Sequence, residues 1–189
     1  MQMVEQTIHA AAGTVRRALT EPAEIARWFG WDADGLDAEI RLIFVEHARW
    51  DGPDRLETQD GTIELDDLGA DTVLRVLRAT GPGFDPVEEG WRAFLVQLSF
   101  GLERHPGAAR RTVRLTGDKP AADVLAALPG ETVLDGEFVR AVDAGGALAV
   151  VEARAGVGAS GPAPVAVTVT FYGDNGDSDA WAAWWEEIG

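Results

Sequence analysis

The stretch DPVEEGWRAFLVQLSFGLERH, residues 85–105, constrains the fold more than any other part of the chain. Val87, Trp91, Phe94, Leu95, Leu98 and Leu102 recur at helical spacing and make one apolar stripe. Val96 and Phe100 lie about 140° and 180° round from Trp91 at roughly 100° per residue, so the predicted helix is apolar on two sides. Such a helix needs cover in front and behind. His105, Pro106 and Gly107 end it, which divides the chain into residues 1–107 and 108–189.

Upstream of this helix, VEQTIHA (4–10) alternates as a strand, and AAGTVRRAL and PAEIARWFG read as two short helices divided by TEP. Thr20 is a cap candidate for the second, where Pro22 suits a first turn. From 38 the period switches to two. AEIRLIFVE places Ala38, Ile40, Leu42 and Phe44 on one strand face, RLET and TIEL form a hairpin across QDG, and TVLRVLRA (72–79) adds a strand. Beyond residue 107 come a strand TVRLTG, a helix PAADVLAAL, strands near EFVRAVD and ALAVVEA, a Gly/Ala/Pro loop, a strand VAVTVTFY and a last helix. The second part repeats the order of the first in shortened form, as a degenerate duplication would. Packed against the first, it would cover Val96 and Phe100.

Composition narrows the function. The 189 residues carry 32 acidic and 16 basic side chains, a formal charge of −16, which repels nucleic acid and anionic membrane surfaces at long range. The excess is spread, with 20 acids and 10 bases before residue 108 and 12 and 6 after it. There is no cysteine, hence neither disulfides nor a thiolate metal site. The N-terminus lacks a basic segment followed by an apolar run, and no apolar stretch approaches the roughly 18 residues of a membrane span. A cytoplasmic location is expected.

TVRRALTEPAEIARWFG (14–30), GADTVLRVLRATGPG (69–83) and GWRAFLVQLSFGLERHPG (90–107) together resemble the SRPBCC, or START-like, superfamily. They are most similar to the bacterial branch akin to the activator of the heat-shock-protein-90 ATPase, with Trp28 and Gly90-Trp91 the most telling positions. The resemblance spans residues 4–105. It implies an α+β helix-grip fold, an antiparallel sheet curled around one long helix and closed at one end by two short helices, with the smaller α+β unit in addition. It also implies a hydrophobic cavity between sheet and long helix, whose contents differ among members. Some forty residues stand where the family has a longer sheet region, so a strand or two is expected to be missing; the cavity is then shallow, or the second unit supplies a wall.

The residues by themselves point to a two-layer apolar arrangement, with Ala38, Ile40, Leu42 and Phe44 facing Trp91, Phe94, Leu95 and Leu98. Trp28 and Phe29 join the expected lining. The function expected is non-enzymatic binding of a small apolar molecule, with no cofactor. A chaperone-linked protein-binding module is the alternative, and a cyclase or hydrolase comes third.

Motifs that suggest other chemistry fail on physical grounds. GVGASG (156–161) has dinucleotide-turn spacing, but PAPVAVTVTFY follows where a phosphate needs a helix N-terminus, so a loop between strands is expected. In DNGDSD (174–179) Gly176 falls where an EF-hand needs its second oxygen ligand, so Asp177 or Ser178 is expected to cap the last helix. His9, His47 and His105 are too scattered for a metal motif. Glu46 with His47 is the one pair that suits acid–base work. Arg41, Arg49, Arg75 and Arg78 are expected to pair with acids across strands. Asp66-Asp67, Glu88-Glu89 and Glu186-Glu187 read as solvated charge.

The last helix is the most aromatic segment: Trp181, Trp184, Trp185 and Ile188 stand at i, i+3, i+4 and i+7 and share one face. They predict a Trp-led helix that closes the second sheet against VAVTVTFY and behind Val96 and Phe100.

Overall fold

A computed structural model describes residues 2–59, 61–79, 83–173 and 176–188. The chain divides into two compact units, Met1–Gly107 and Ala108–Gly189. Each holds a five-stranded antiparallel sheet.

In the first unit, β1 (Gln2–Ile8) leads into α1 (Ala12–Ala18) and α2 (Pro22–Ile25). A third helix, α3 (Leu36–Arg41), runs on into a π-helical turn over Leu42–Glu46. The meander β2 (Arg49–Asp51), β3 (Arg55–Thr58), β4 (Gly61–Asp67) and β5 (Thr72–Arg78) precedes the long helix α4 (Pro86–Arg104). The sheet order is β1-β5-β4-β3-β2. Register places Val76 beside both Val4 and Ile63, and Leu56 beside Ile63, so branched residues of four strands meet on one face. Trp91, Leu95 and Leu98 of α4, Val15 and Ala18 of α1 and Leu19 just after it join them in a single core. Sheet, gripped long helix and short helix pair make this an α+β helix-grip unit.

The other sheet face carries charge. Arg75 pairs with Glu5 at 2.6 Å and with Asp66, Arg55 with Glu64 at 2.6 Å, and Arg49 with Glu57 at 3.1 Å. These pairs step across all five strands, so Arg49 and Arg75 pair across strands as expected. Arg78 instead pairs with Asp85 at 3.2 Å, and Arg41 lies exposed on α3.

Segment 38–46 corrects the sequence reading, for it is helical and the fifth strand is β2. Ile40 and Phe44, four residues apart, are both buried, whereas Leu42 is 45% exposed and Val45 50%. Alternation and helical spacing share the pair i, i+4, and Gly35 before the segment with Asp37 and Glu39 in its first turn decide for a helix. Thr20 does not cap α2 either; Glu21 holds that position and the Thr20 hydroxyl donates to the Arg16 carbonyl at 2.8 Å. Glu88 and Glu89 are buried rather than solvated, with Arg92 returning one turn later to Glu88 at 2.7 Å.

The second unit comprises β6 (Arg110–Pro120), α5 (Ala121–Ala127), β7 (Glu131–Asp135), β8 (Val139–Asp143), β9 (Leu148–Ala153), β10 (Pro162–Tyr172) and α6 (Ser178–Glu187). Its order, β6-β10-β9-β8-β7, reproduces that of the first sheet strand for strand. The core is rich in valine, with Val124, Val151, Val165, Val167 and Val169 all buried. The loop containing GVGASG joins β9 to β10, and its Val157 is buried and donates its amide to Glu137 at 2.8 Å.

Helix α6 starts on Asp177, whose side chain accepts from the amides of Asp179 and Ala180 at 3.0 and 3.1 Å. Asp174, the first ligand of the rejected calcium reading, lies outside the described residues. Trp185 and Ile188 share a core with the β10 valines, while the strand directly beneath Trp185 is β6. A Cβ on Gly117 would meet the indole at 3.4 Å, and the Lys119 ammonium stands 5.1 Å from the ring centre. Trp184 donates its indole N–H to Ala127 O at 3.2 Å.

Candidate functional site

The aromatic residues of the first unit converge from three segments. The turn after α2 donates the Phe29 amide to Ile25 at 2.9 Å and sets Trp28 and Phe29 side by side. The Trp28 indole donates to Ala18 O at 2.9 Å, so its one polar atom is satisfied inside the core and the ring is fixed to α1. The π-helical turn supplies Phe44, and the second turn of α4 supplies Trp91 and Phe94.

Four of these rings close a circuit. Centroid separations are 5.1 Å for Phe29–Phe44, 6.3 Å for Phe44–Trp91, 6.5 Å for Trp91–Phe94 and 4.6 Å for Phe94–Phe29. Three of the contacts are edge-to-face, and Trp28 adds two more of that kind, to Phe29 at 5.8 Å and Phe44 at 5.7 Å. Trp28, Phe29, Phe44 and Trp91 are buried; Phe94 is half-buried and brings the circuit to the surface.

Of the lining residues read from the sequence, Trp28, Phe29, Ile40, Phe44, Trp91, Leu95 and Leu98 all belong to this core, with Phe94 packed on its edge. Leu42 and Ala38, four residues apart, face away and are exposed, as the helical course of the segment requires. Phe29 and Phe44 touch each other, and both touch α4, Phe29 at Phe94 and Phe44 at Trp91. The arrangement offers dispersion and edge-to-face contact to an apolar body. Glu46 and His47, the acid–base pair singled out in the sequence, are exposed at the end of the π-helical turn.

Two titratable side chains have defined electrostatics. Asp85 caps α4. Burial pulls its pKa upward, but the amides of Glu88 and Val87, then the Arg78 guanidinium, outweigh this and hold it below the usual value. His9, exposed at the end of β1, is raised by its hydrogen bond to Asp71 and next by the Glu103 charge. Among the described residues no group of three or more His, Asp or Glu could hold a metal ion, and no helix is long and apolar enough to cross a membrane.

No protein-family model matches the chain, and no curated protein matches it. Among solved structures it is similar to one described as the crystal structure of the di-domain ARO/CYC BexL from the BE-7585A biosynthetic pathway. The identity is 14% and the TM-score 0.37, over 100% of this chain and 93% of that one.

Proposed function

We propose that the first unit binds a small apolar molecule at the aromatic circuit between α4, α3 and the end of the helix pair. The observation that carries this reading is the closed circuit of Phe29, Phe44, Trp91 and Phe94, reaching solvent at Phe94. Each edge-to-face pair contributes about 0.5–1.5 kcal/mol beyond burial, and a ligand with a flat apolar face restores contacts of the same kind when it parts two rings. The cost of opening is thereby offset. Gly30 and Gly35, in the segment leading into α3, both have positive φ, 63° and 93°, a conformation that glycine takes up readily. A Cβ on Gly30 would stand 2.8 Å from Leu36 Cδ1, so a side chain there would require the Leu36 side chain to shift.

The branch akin to the activator of the heat-shock-protein-90 ATPase is likewise a proposal, supported by residues 14–30, 69–83 and 90–107. Native mass spectrometry of gently purified full-length protein tests the binding reading. The expected result is a small apolar adduct lost on mild activation, or saturable uptake of the neutral probe N-phenyl-1-naphthylamine. Bare protein in repeated preparations together with no saturable uptake would overturn it.

A further inference from the structure

Of the four rings in the aromatic circuit, Phe29, Phe44 and Trp91 are buried and Phe94 is half-buried, so Phe94 is the ring that an incoming molecule meets first. It bridges two others. The Phe29 ring centre lies 4.6 Å away at a tilt of 52°, and that of Trp91 lies 6.5 Å away, edge to face. Side chains on a helix lean back over the residues three and four positions before them. For Phe94 these are Trp91, inside the circuit, and Gly90, outside it.

Gly90 is the unusual neighbour. It sits in the second turn of α4, where glycine is less favourable than alanine because it loses more conformational freedom on folding. Its backbone is helical, without the positive φ that accounts for Gly30 and Gly35. Close packing does not exclude a side chain either: Phe94 Cε2 would lie 3.7 Å from a Cβ at this position, an ordinary van der Waals contact. The structure as it stands therefore accepts alanine at 90. What glycine leaves is space on a partly exposed helix surface one turn before Phe94.

We propose that Phe94 is the gate of the aromatic circuit and that Gly90 is the recess that receives its ring when the gate opens. The proposal rests on the binding reading above and adds the route of entry. Turning Phe94 toward Gly90 gives up the tilted contact with Phe29 and parts the circuit between Phe29 and Trp91 by side-chain rotation alone. A Cβ at 90 leaves the closed position untouched and crowds the open one.

The test compares the full-length parent with Gly90→Ala in two measurements. In ligand-free protein labelled with 4-fluorophenylalanine, the ¹⁹F signal of Phe94, identified by its loss in Phe94→Leu, should show exchange between two ring positions on the microsecond-to-millisecond scale. Gly90→Ala should suppress that exchange. In stopped-flow mixing with N-phenyl-1-naphthylamine, Gly90→Ala should slow association and dissociation together by about three- to tenfold, the rate equivalent of one strained rotamer, with affinity unchanged. A Phe94 signal identical in parent and variant, or uptake and release at the parent's rates, would overturn the gate. So would a loss of affinity with association unchanged, the mark of a side chain that crowds the bound molecule rather than its route. Suppressed exchange at Phe94 in a protein whose parent takes up no probe would instead overturn the binding reading, and the gate's role with it.

Discussion

The two units share a plan and differ in what the plan encloses. Both sheets run first strand, fifth, fourth, third, second, and both are followed by a tryptophan-bearing helix capped by an aspartate. Asp85 accepts from the amides of Val87 and Glu88 as Asp177 does from those of Asp179 and Ala180. Yet α4 has 19 residues and α6 has 10. At 1.5 Å per residue these are about 28 Å and about 15 Å long, while five strands spaced about 4.8 Å apart are roughly 19 Å wide. The long helix can cross its sheet and leave an aromatic layer beneath it. The short one cannot, and its tryptophans close a compact valine core with the help of α5. The lesson is that strand order follows from the repeated pattern of elements, and capacity follows from the length of the closing helix.

The largest effect is expected in the second unit. Removing residues 181–189 takes away Trp185 and Ile188, and burying a tryptophan alone is worth about 3–5 kcal/mol, so the second unit should lose its cooperative transition in calorimetry. An unchanged melting profile would show that α6 closes nothing. The next largest effect belongs to the first unit. Phe44→Ala should destabilise it by about 3–5 kcal/mol, whereas Leu42→Ser, two residues away, should stay within about 0.5 kcal/mol. Equal losses in urea titration would restore the strand reading of this segment.

The two caps sharpen the parallel. Asp85→Ala and Asp177→Ala should each cost about 1 kcal/mol, and the loss at Asp85 should diminish in acid. Its carboxyl is held below its unfolded value, so its contribution is present above that value and fades as pH falls through the folded one. The smallest effect concerns His9, which is raised and exposed. Its contribution is complete below its unfolded value of about 6.5 and is lost as pH rises through the folded one. His9→Gln should therefore flatten the melting temperature of the first unit slightly across neutral pH, and identical profiles would deny the Asp71 contact any role.

Much of this plan is legible in the residues. The two-sided apolar pattern of 85–105 locates the long helix, the branched run 72–78 a central strand, and Trp181, Trp184 and Trp185 a helix face that closes a core. What fails is short-range: the buried pair Ile40 and Phe44 fits alternation and a helix equally well, and only the acids after Gly35 separate the two. Burial of Glu88 and Glu89 depends on tertiary placement that adjacent spacing cannot report. The aromatic circuit is hidden for the same reason, since Phe29, Phe44 and Phe94 meet only once segment 36–46 is a helix.

The most direct measurement is ¹⁹F NMR of protein labelled with 5-fluorotryptophan and titrated with N-phenyl-1-naphthylamine. Trp28 and Trp91 lie in the aromatic layer of the first unit, and Trp181, Trp184 and Trp185 on the closing helix of the second. Saturable shifts at Trp28 and Trp91, with the three tryptophans of α6 unmoved, are the predicted result; no shifts, or equal shifts on α6, would contradict the assignment of binding to the first unit.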